Sequence, residues 1–252
     1  MTHHARTSVR RLAFVAATVS STLAALVATM SAAPASSDDG AAPQPTPAAV
    51  SAERQKMVVI GDSYSSYYGD SHSRFPGWWA TLGDDLGLEP VVDATGGTGF
   101  LARSVDCLST TYGARMDTIR EYRPRLLFVE GGRNDWRRCD ANGQPVESTR
   151  TEIVAAVDEY FTDLGEVWDE AGRPRSDVYV LSPWGATRGD KARVIRPIIR
   201  DAARAHGFTW VDTRRLDLSN APDGIHPNNQ GSLFLRDEIL ANSDLAERFT
   251  SS

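Results

Sequence analysis

Met57-Val58-Val59-Ile60-Gly61-Asp62-Ser63-Tyr64 is the stretch on which the reading of this chain turns. Its first four residues are apolar, and Val58, Val59 and Ile60 are β-branched, the composition of a buried parallel strand. The run breaks at Gly61 and delivers Ser63 into a polar, aromatic loop. Open α/β sheets place their ligands just outside the C-terminal ends of the strands, which is where this serine falls. Taken alone, Gly-Asp-Ser is also an ordinary turn whose Asp and Ser cap the next helix. The rest of the chain decides between the two.

Outward from this strand, four more apolar runs alternate with helical patterns. Pro90–Asp93, Leu126–Val129, Val178–Leu181 and Thr209–Val211 read as strands. Phe75–Leu86, Tyr112–Tyr122, Ala192–Ala205 and Gly231–Ala241 read as helices. So does 150–171, where Ile153, Val157, Tyr160, Leu164 and Trp168 recur at helical spacing behind the capping-box pair Thr149 and Glu152. Pro197 implies a kink or a later start in its helix. Asp140–Glu147 reads as a loop. This alternation gives a mostly parallel five-stranded sheet with helices on both faces. Right-handed crossovers then bring the loops beginning at Ser63, Gly96, Gly132, Ser182 and Asp212 to one edge.

Not all of the chain belongs to this domain. Arg6, Arg10 and Arg11 are followed by no charged residue from Leu12 to Ser37, and Ser31-Ala32-Ala33-Pro34-Ala35 has the small residues of a cleavage site. Residues 1–35 are therefore expected to be an export signal, cut after Ala35. A retained membrane anchor is the alternative, since the uncharged run is long enough to span a bilayer. Residues 36–55, rich in Ala, Pro and Ser, read as a flexible linker. That leaves 56–248 as one domain. Losing the three arginines takes the formal charge from −6 to −9. This is no nucleic-acid footprint. Cys107 and Cys139 are the only cysteines. In an oxidising compartment they are expected to form a disulfide, and their spacing fits no four-ligand metal site.

Three segments on the loop edge carry further chemistry: Thr95-Gly96-Gly97-Thr98-Gly99, Gly131-Gly132-Arg133-Asn134-Asp135 and Asp223-Gly224-Ile225-His226-Pro227. The glycine run lacks the lysine and the spacing of a phosphate loop. Together with Ser63 the three segments fit acyl transfer. A serine hydroxyl needs a base, and His226 can serve; Asp223 can fix its tautomer. The oxyanion needs donors, and the N–H groups of Ser63 and Gly97 and the Asn134 amide are available. Gly96 competes with Gly97 for that role, and Gly97 is preferred.

In these four blocks, taken in order over roughly residues 56 to 245, the chain resembles the SGNH, or GDSL-type, hydrolases. Gly61-Asp62-Ser63 is similar to the nucleophile block and Gly97 to the oxyanion glycine. Gly132-x-Asn134-Asp135 and Asp223-x-x-His226 are similar to the third and fourth blocks. Val92 and Tyr64 depart from common family residues without touching the catalytic set. The resemblance implies a three-layer α/β/α, flavodoxin-like fold and ester hydrolysis without metal or cofactor.

Tyr64, Arg133 and Trp184 are candidate substrate contacts, with Arg133 offering a bidentate site for an anionic group. At least one of Trp78 and Trp79 is expected in the core. The expected protein is an exported serine esterase, secreted or envelope-associated, removing small acyl groups from a glycan or another extracellular ester. It is expected to be a monomer, with cell-wall association as an option. An acyltransferase using the same acyl-enzyme and a silent glycan-binding module are the competing readings.

Overall fold

The computed structural model describes residues 54–66, 77–185 and 190–250. The expected export signal, residues 36–53 of the expected linker, and Phe75 lie outside the described residues.

Five strands form one sheet: β1 (Lys56–Gly61), β2 (Glu89–Ala94), β3 (Leu126–Glu130), β6 (Val178–Leu181) and β7 (Thr209–Val211). Their order is β2-β1-β3-β6-β7, and every pairing is parallel. One row across the sheet reads Asp93, Ile60, Val129, Val180, Trp210. Successive side chains of a strand point to opposite faces, so the apolar runs divide into two cores. Val58, Ile60, Leu127, Val129, Val178 and Val180 face one side. There they meet α2 (Met116–Tyr122), α3 (Arg150–Glu170) and α4 (Asp190–Ala205) through Ile119, Phe161, Trp168 and Ile199. Met57, Val59, Phe128, Tyr179 and Val211 face the other side. Trp78 and Leu82 of α1 (Trp78–Asp85) cover them, with Leu235 and Ile239 of α5 (Asn229–Ala241). The layers are those of a three-layer α/β/α fold.

Local signals hold where they are strongest. Thr149 Oγ1 accepts from the Glu152 N–H at 3.3 Å, and the Glu152 carboxylate accepts from the Thr149 N–H at 2.8 Å, so α3 opens on a full capping box. Helix α4 starts at Asp190, ahead of Pro197, and runs through that proline to Ala205. Trp78 and Trp79 are both buried. A further short helix, α6 (Leu245–Thr250), closes the described chain.

One expectation is corrected. Asp140–Glu147 is not simply a loop: Pro145–Glu147 (β5) pairs antiparallel with Arg137–Cys139 (β4). The Asp140 carboxylate closes the turn by accepting from the N–H groups of Asn142 and Gln144, each at 2.8 Å. Three-residue strands are too short to show alternation, and Pro145 reads as a loop residue.

Candidate active site

Ser63 stands at the first turn beyond β1, with Asp62 turning the chain. The Asp62 carbonyl accepts from the N–H groups of Ser65 and Ser66 at 3.2 and 2.8 Å. Its carboxylate accepts from the Tyr64 N–H at 3.0 Å. Gly61 is required by packing, because a Cβ there would lie 2.6 Å from the Ser65 side chain.

The loop before α5 brings its residues to this serine. His226 Nε2 lies 3.1 Å from Ser63 Oγ, and His226 Nδ1 lies 2.7 Å from Asp223 Oδ2. An ionised carboxylate only accepts, so Nδ1 carries the proton and Nε2 is left to accept from the serine hydroxyl. The other Asp223 oxygen accepts from the N–H groups of Ile225 and His226 at 2.8 and 2.7 Å. Burial works to raise the Asp223 pKa, but the hydrogen bonds from the His226 ring and from these two N–H groups hold it below the ordinary carboxylate value.

The third block links the nucleophile turn to the glycine loop. Asn134 Nδ2 donates to Asp62 Oδ2 at 2.9 Å and to the Thr98 carbonyl at 3.0 Å. An amide has two N–H bonds, so both are engaged in the structure. The N–H groups of Ser63 and Gly97 have no hydrogen-bond partner among the described residues. Gly97 takes a left-handed φ of +77°, which a residue with a Cβ rarely adopts. The next residue of the block, Asp135, is buried and accepts from the N–H groups of Phe100, Leu101 and Ala102 at 3.3, 2.8 and 2.9 Å. It therefore pins the loop that follows Gly97. Cys107 and Cys139 are bonded, with Cα atoms 5.8 Å apart, tying that loop to β4 just beyond Asn134.

Two groups under the site were not singled out in the sequence. Arg115 is buried, donating to the carbonyls of Gly61 and Asp93 at 2.6 and 3.0 Å and to Thr98 Oγ1 at 2.7 Å. It clamps the ends of β1 and β2 to the glycine loop. As one arginine in a helix-like stretch, it carried no distinguishing sequence signal. Glu130 accepts from Ser65 Oγ at 2.6 Å and from the Asp62 N–H at 3.4 Å. A carboxylate ending the apolar run Leu126–Val129 was a readable signal for it. Burial pushes Asp62 up to about 7 and Asp135 up to about 6, and holds Glu130 well above the ordinary carboxylate range.

Tyr64 is buried, its ring centroid 6.4 Å from that of His226. Trp184 is only 6% exposed. The Arg133 guanidinium lies over its ring, 5.1 Å from the centroid. Arg133 Nη1 is buried and has no hydrogen-bond partner among the described residues, as is the case for Tyr64 Oη and Trp184 Nε1. Among the described residues no group of His, Cys, Asp and Glu is arranged to hold a metal ion.

A serine hydroxyl, an imidazole and a carboxylate thus stand in hydrogen-bond reach of one another at the C-terminal edge of a parallel sheet, an arrangement suited to acyl transfer. The family model of the GDSL-like lipase/acylhydrolase family matches residues 59–233. The chain belongs to that family. No curated protein sequence matches it closely enough to count as a relative. Among solved structures, it is similar to an acetyl xylan esterase from the rumen bacterium Butyrivibrio proteoclasticus, with TM-score 0.53 and 13% identity over 77% of this chain and 65% of that one. A family two carbohydrate esterase from Cellvibrio japonicus gives TM-score 0.54 and 11% identity over 78% and 63%. A carbohydrate acetylesterase from Sinorhizobium meliloti gives 0.50 and 14% over 74% and 99%. The chain thus spans just under two thirds of the first two, and at these identities the shared property is the fold.

Proposed function

We propose that the protein is a serine esterase working through an acyl-enzyme on Ser63, and that after export it removes small acyl groups from a glycan or another extracellular ester. The observation that carries this is the continuous hydrogen-bond path from Ser63 Oγ through His226 to Asp223.

In this reading Ser63 Oγ attacks the ester carbonyl carbon while His226 Nε2 takes the hydroxyl proton. Asp223 steadies the resulting imidazolium. The negative oxygen of the tetrahedral intermediate is met by the unengaged N–H groups of Ser63 and Gly97. Asn134 joins them by sharing a hydrogen now held by Asp62 or Thr98. Collapse breaks the ester bond, and the leaving alcohol takes the proton from His226. A water, deprotonated by His226, then attacks the acyl carbon; the acid departs and Ser63 is restored.

Tyr64, Arg133 and Trp184 are the proposed substrate contacts. The carbohydrate esterases with this fold support a glycan ester, as an analogy at the level of fold. The test is turnover of p-nitrophenyl esters from acetate to palmitate, together with acetate release from an acetylated glycan. Turnover of the short esters and of the glycan is expected. Failure on every ester would overturn the reading. Export predicts a mature protein in the medium whose N-terminus begins after Ala35, which N-terminal sequencing would establish.

A further inference from the structure

Along α4 and the β7 edge of the sheet lies a cavity of about 740 Å³ whose walls have an unusual composition. Arg193, Arg196 and Arg200 recur at helical spacing on α4, while Ile195 and Ile199 turn into the core. Arg214 and Arg215 approach from the segment after β7. Among the described residues, five arginines thus share one cavity with one lining carboxylate, Asp212. The chain as a whole carries a formal charge of −6, so this is a local reversal of sign.

Internal pairing accounts for part of the charge, and Arg193 is also engaged within the protein. Arg196 is bound to Asp212 at 2.9 Å, Arg200 to Asp201 at 2.8 Å and Arg214 to Glu238 at 2.6 Å. Arg215 has no partner among the described residues. Like charges gathered at one cavity repel, and an anion placed among them removes that cost. The remaining wall includes Trp184 and Trp210, and Arg196 lies over the Trp210 ring, 5.5 Å from its centroid. Thr213 lines the cavity too, and its hydroxyl, like Trp184 Nε1, is buried with no partner among the described residues. Flat aromatic faces beside charged and hydroxyl donors suit a sugar that carries an anionic group.

The cavity adjoins the chemistry through Trp184. A Cβ on the next residue, Gly185, would lie 2.5 Å from the Gly224 carbonyl oxygen and 2.7 Å from Ile225 Cα, immediately before His226. The Leu216 N–H donates to the Trp184 carbonyl at 3.0 Å. On the other side of the site, the Arg133 guanidinium covers the Trp184 ring. We propose that the arginine-lined cavity binds the oxyanion groups of an anionic polysaccharide that carries the ester, so that the substrate is a polyanion and not a neutral glycan. This rests on the esterase reading above.

Ser63→Ala protein separates the two claims, because binding can be measured without turnover. It is titrated with polygalacturonate, with a phosphodiester-linked phosphomannan and with neutral xylan, reading tryptophan fluorescence. Saturable binding of at least one anionic polymer is expected, lost at high salt and at least about tenfold tighter than xylan. The tighter of the two polyanions identifies the group as carboxylate or phosphate. Arg193→Gln/Arg215→Gln on the same background should weaken that binding by about tenfold or more, the size of a lost charge-assisted contact. The matching double lysine variant should keep most of it. Equal binding of xylan and polyanions, no binding of any polymer, or unchanged polyanion binding by the glutamine variant would each overturn the proposal. p-Nitrophenyl acetate turnover by the wild-type protein tests the esterase reading independently.

Discussion

Replacing Ser63 or His226 by alanine is expected to lower kcat for p-nitrophenyl acetate by about 10³-fold or more, because nucleophile and base act as one unit. Asp223→Ala should cost less, since His226 remains able to accept the proton when poorly oriented. Near-normal turnover by purified Ser63→Ala protein would remove the mechanism. Arg133 carries a subtler expectation. Its buried Nη1, unpartnered among the described residues, and its place over Trp184 leave a guanidinium with donor capacity to spare. Arg133→Ala should lower kcat/KM for a succinyl half-ester by about tenfold or more, roughly 1.4 kcal/mol, while a neutral acetyl ester changes little. Equal losses on both would mean that Arg133 supports the Asn134 turn and does not read substrate. At this scale the sequence was legible where several weak blocks converged on one edge. It was not legible at Arg115, whose importance depends on being buried beneath Ser63, and burial of a single arginine in a helix-like stretch leaves little local pattern.

Among the elements, the disulfide is the most direct test of how the loops are held. Closing a loop with a sequence separation of 32 contributes roughly 3–4 kcal/mol in the chain-entropy model. Cys107→Ser/Cys139→Ser should therefore lower the denaturant midpoint. It should also reduce kcat, because the bridge joins the loop after Gly97 to the strand after Asn134. Two titratable thiols in denatured, non-reduced wild-type protein would contradict the pairing. The long, buried elements were readable from their residues. Val178–Leu181 and Thr209–Val211 are bounded as the sequence implies, and α3 begins at its capping box. The β4–β5 hairpin was missed because its strands owe their existence to the Asp140 turn and to neighbours. No stretch of that length is long enough to carry a period.

Across the whole molecule, three buried carboxyl groups set a pH dependence of stability. Asp62 is raised to about 7 and Asp135 to about 6 from an ordinary 3.8, and Glu130 is held well above its ordinary value. Between the ordinary values and the raised ones, the folded protein keeps protons that the unfolded chain has released. Stability then falls as pH rises through that window. The carboxylates held low by their hydrogen bonds, such as Asp223 and Glu238, act in the opposite sense but at lower pH. The urea midpoint should therefore decline from about pH 5 to about pH 8, and Asp62→Asn, which has no proton to lose, should flatten part of that decline. A midpoint that rises over the interval would refute the assignment.

The parallel sheet with its single chemical edge also bears on how the protein can be handled. The turns that lead back into the sheet, at Gly87 before β2 and Gly172 before β6, lie at the opposite edge from Ser63, and at both there is open space around the Cβ position. A cysteine-free coupling handle inserted at either turn would anchor the protein to a bead by its blunt end. The edge that holds Ser63 would then face the bulk liquid, where a polymer too large to diffuse into a porous support could still reach it.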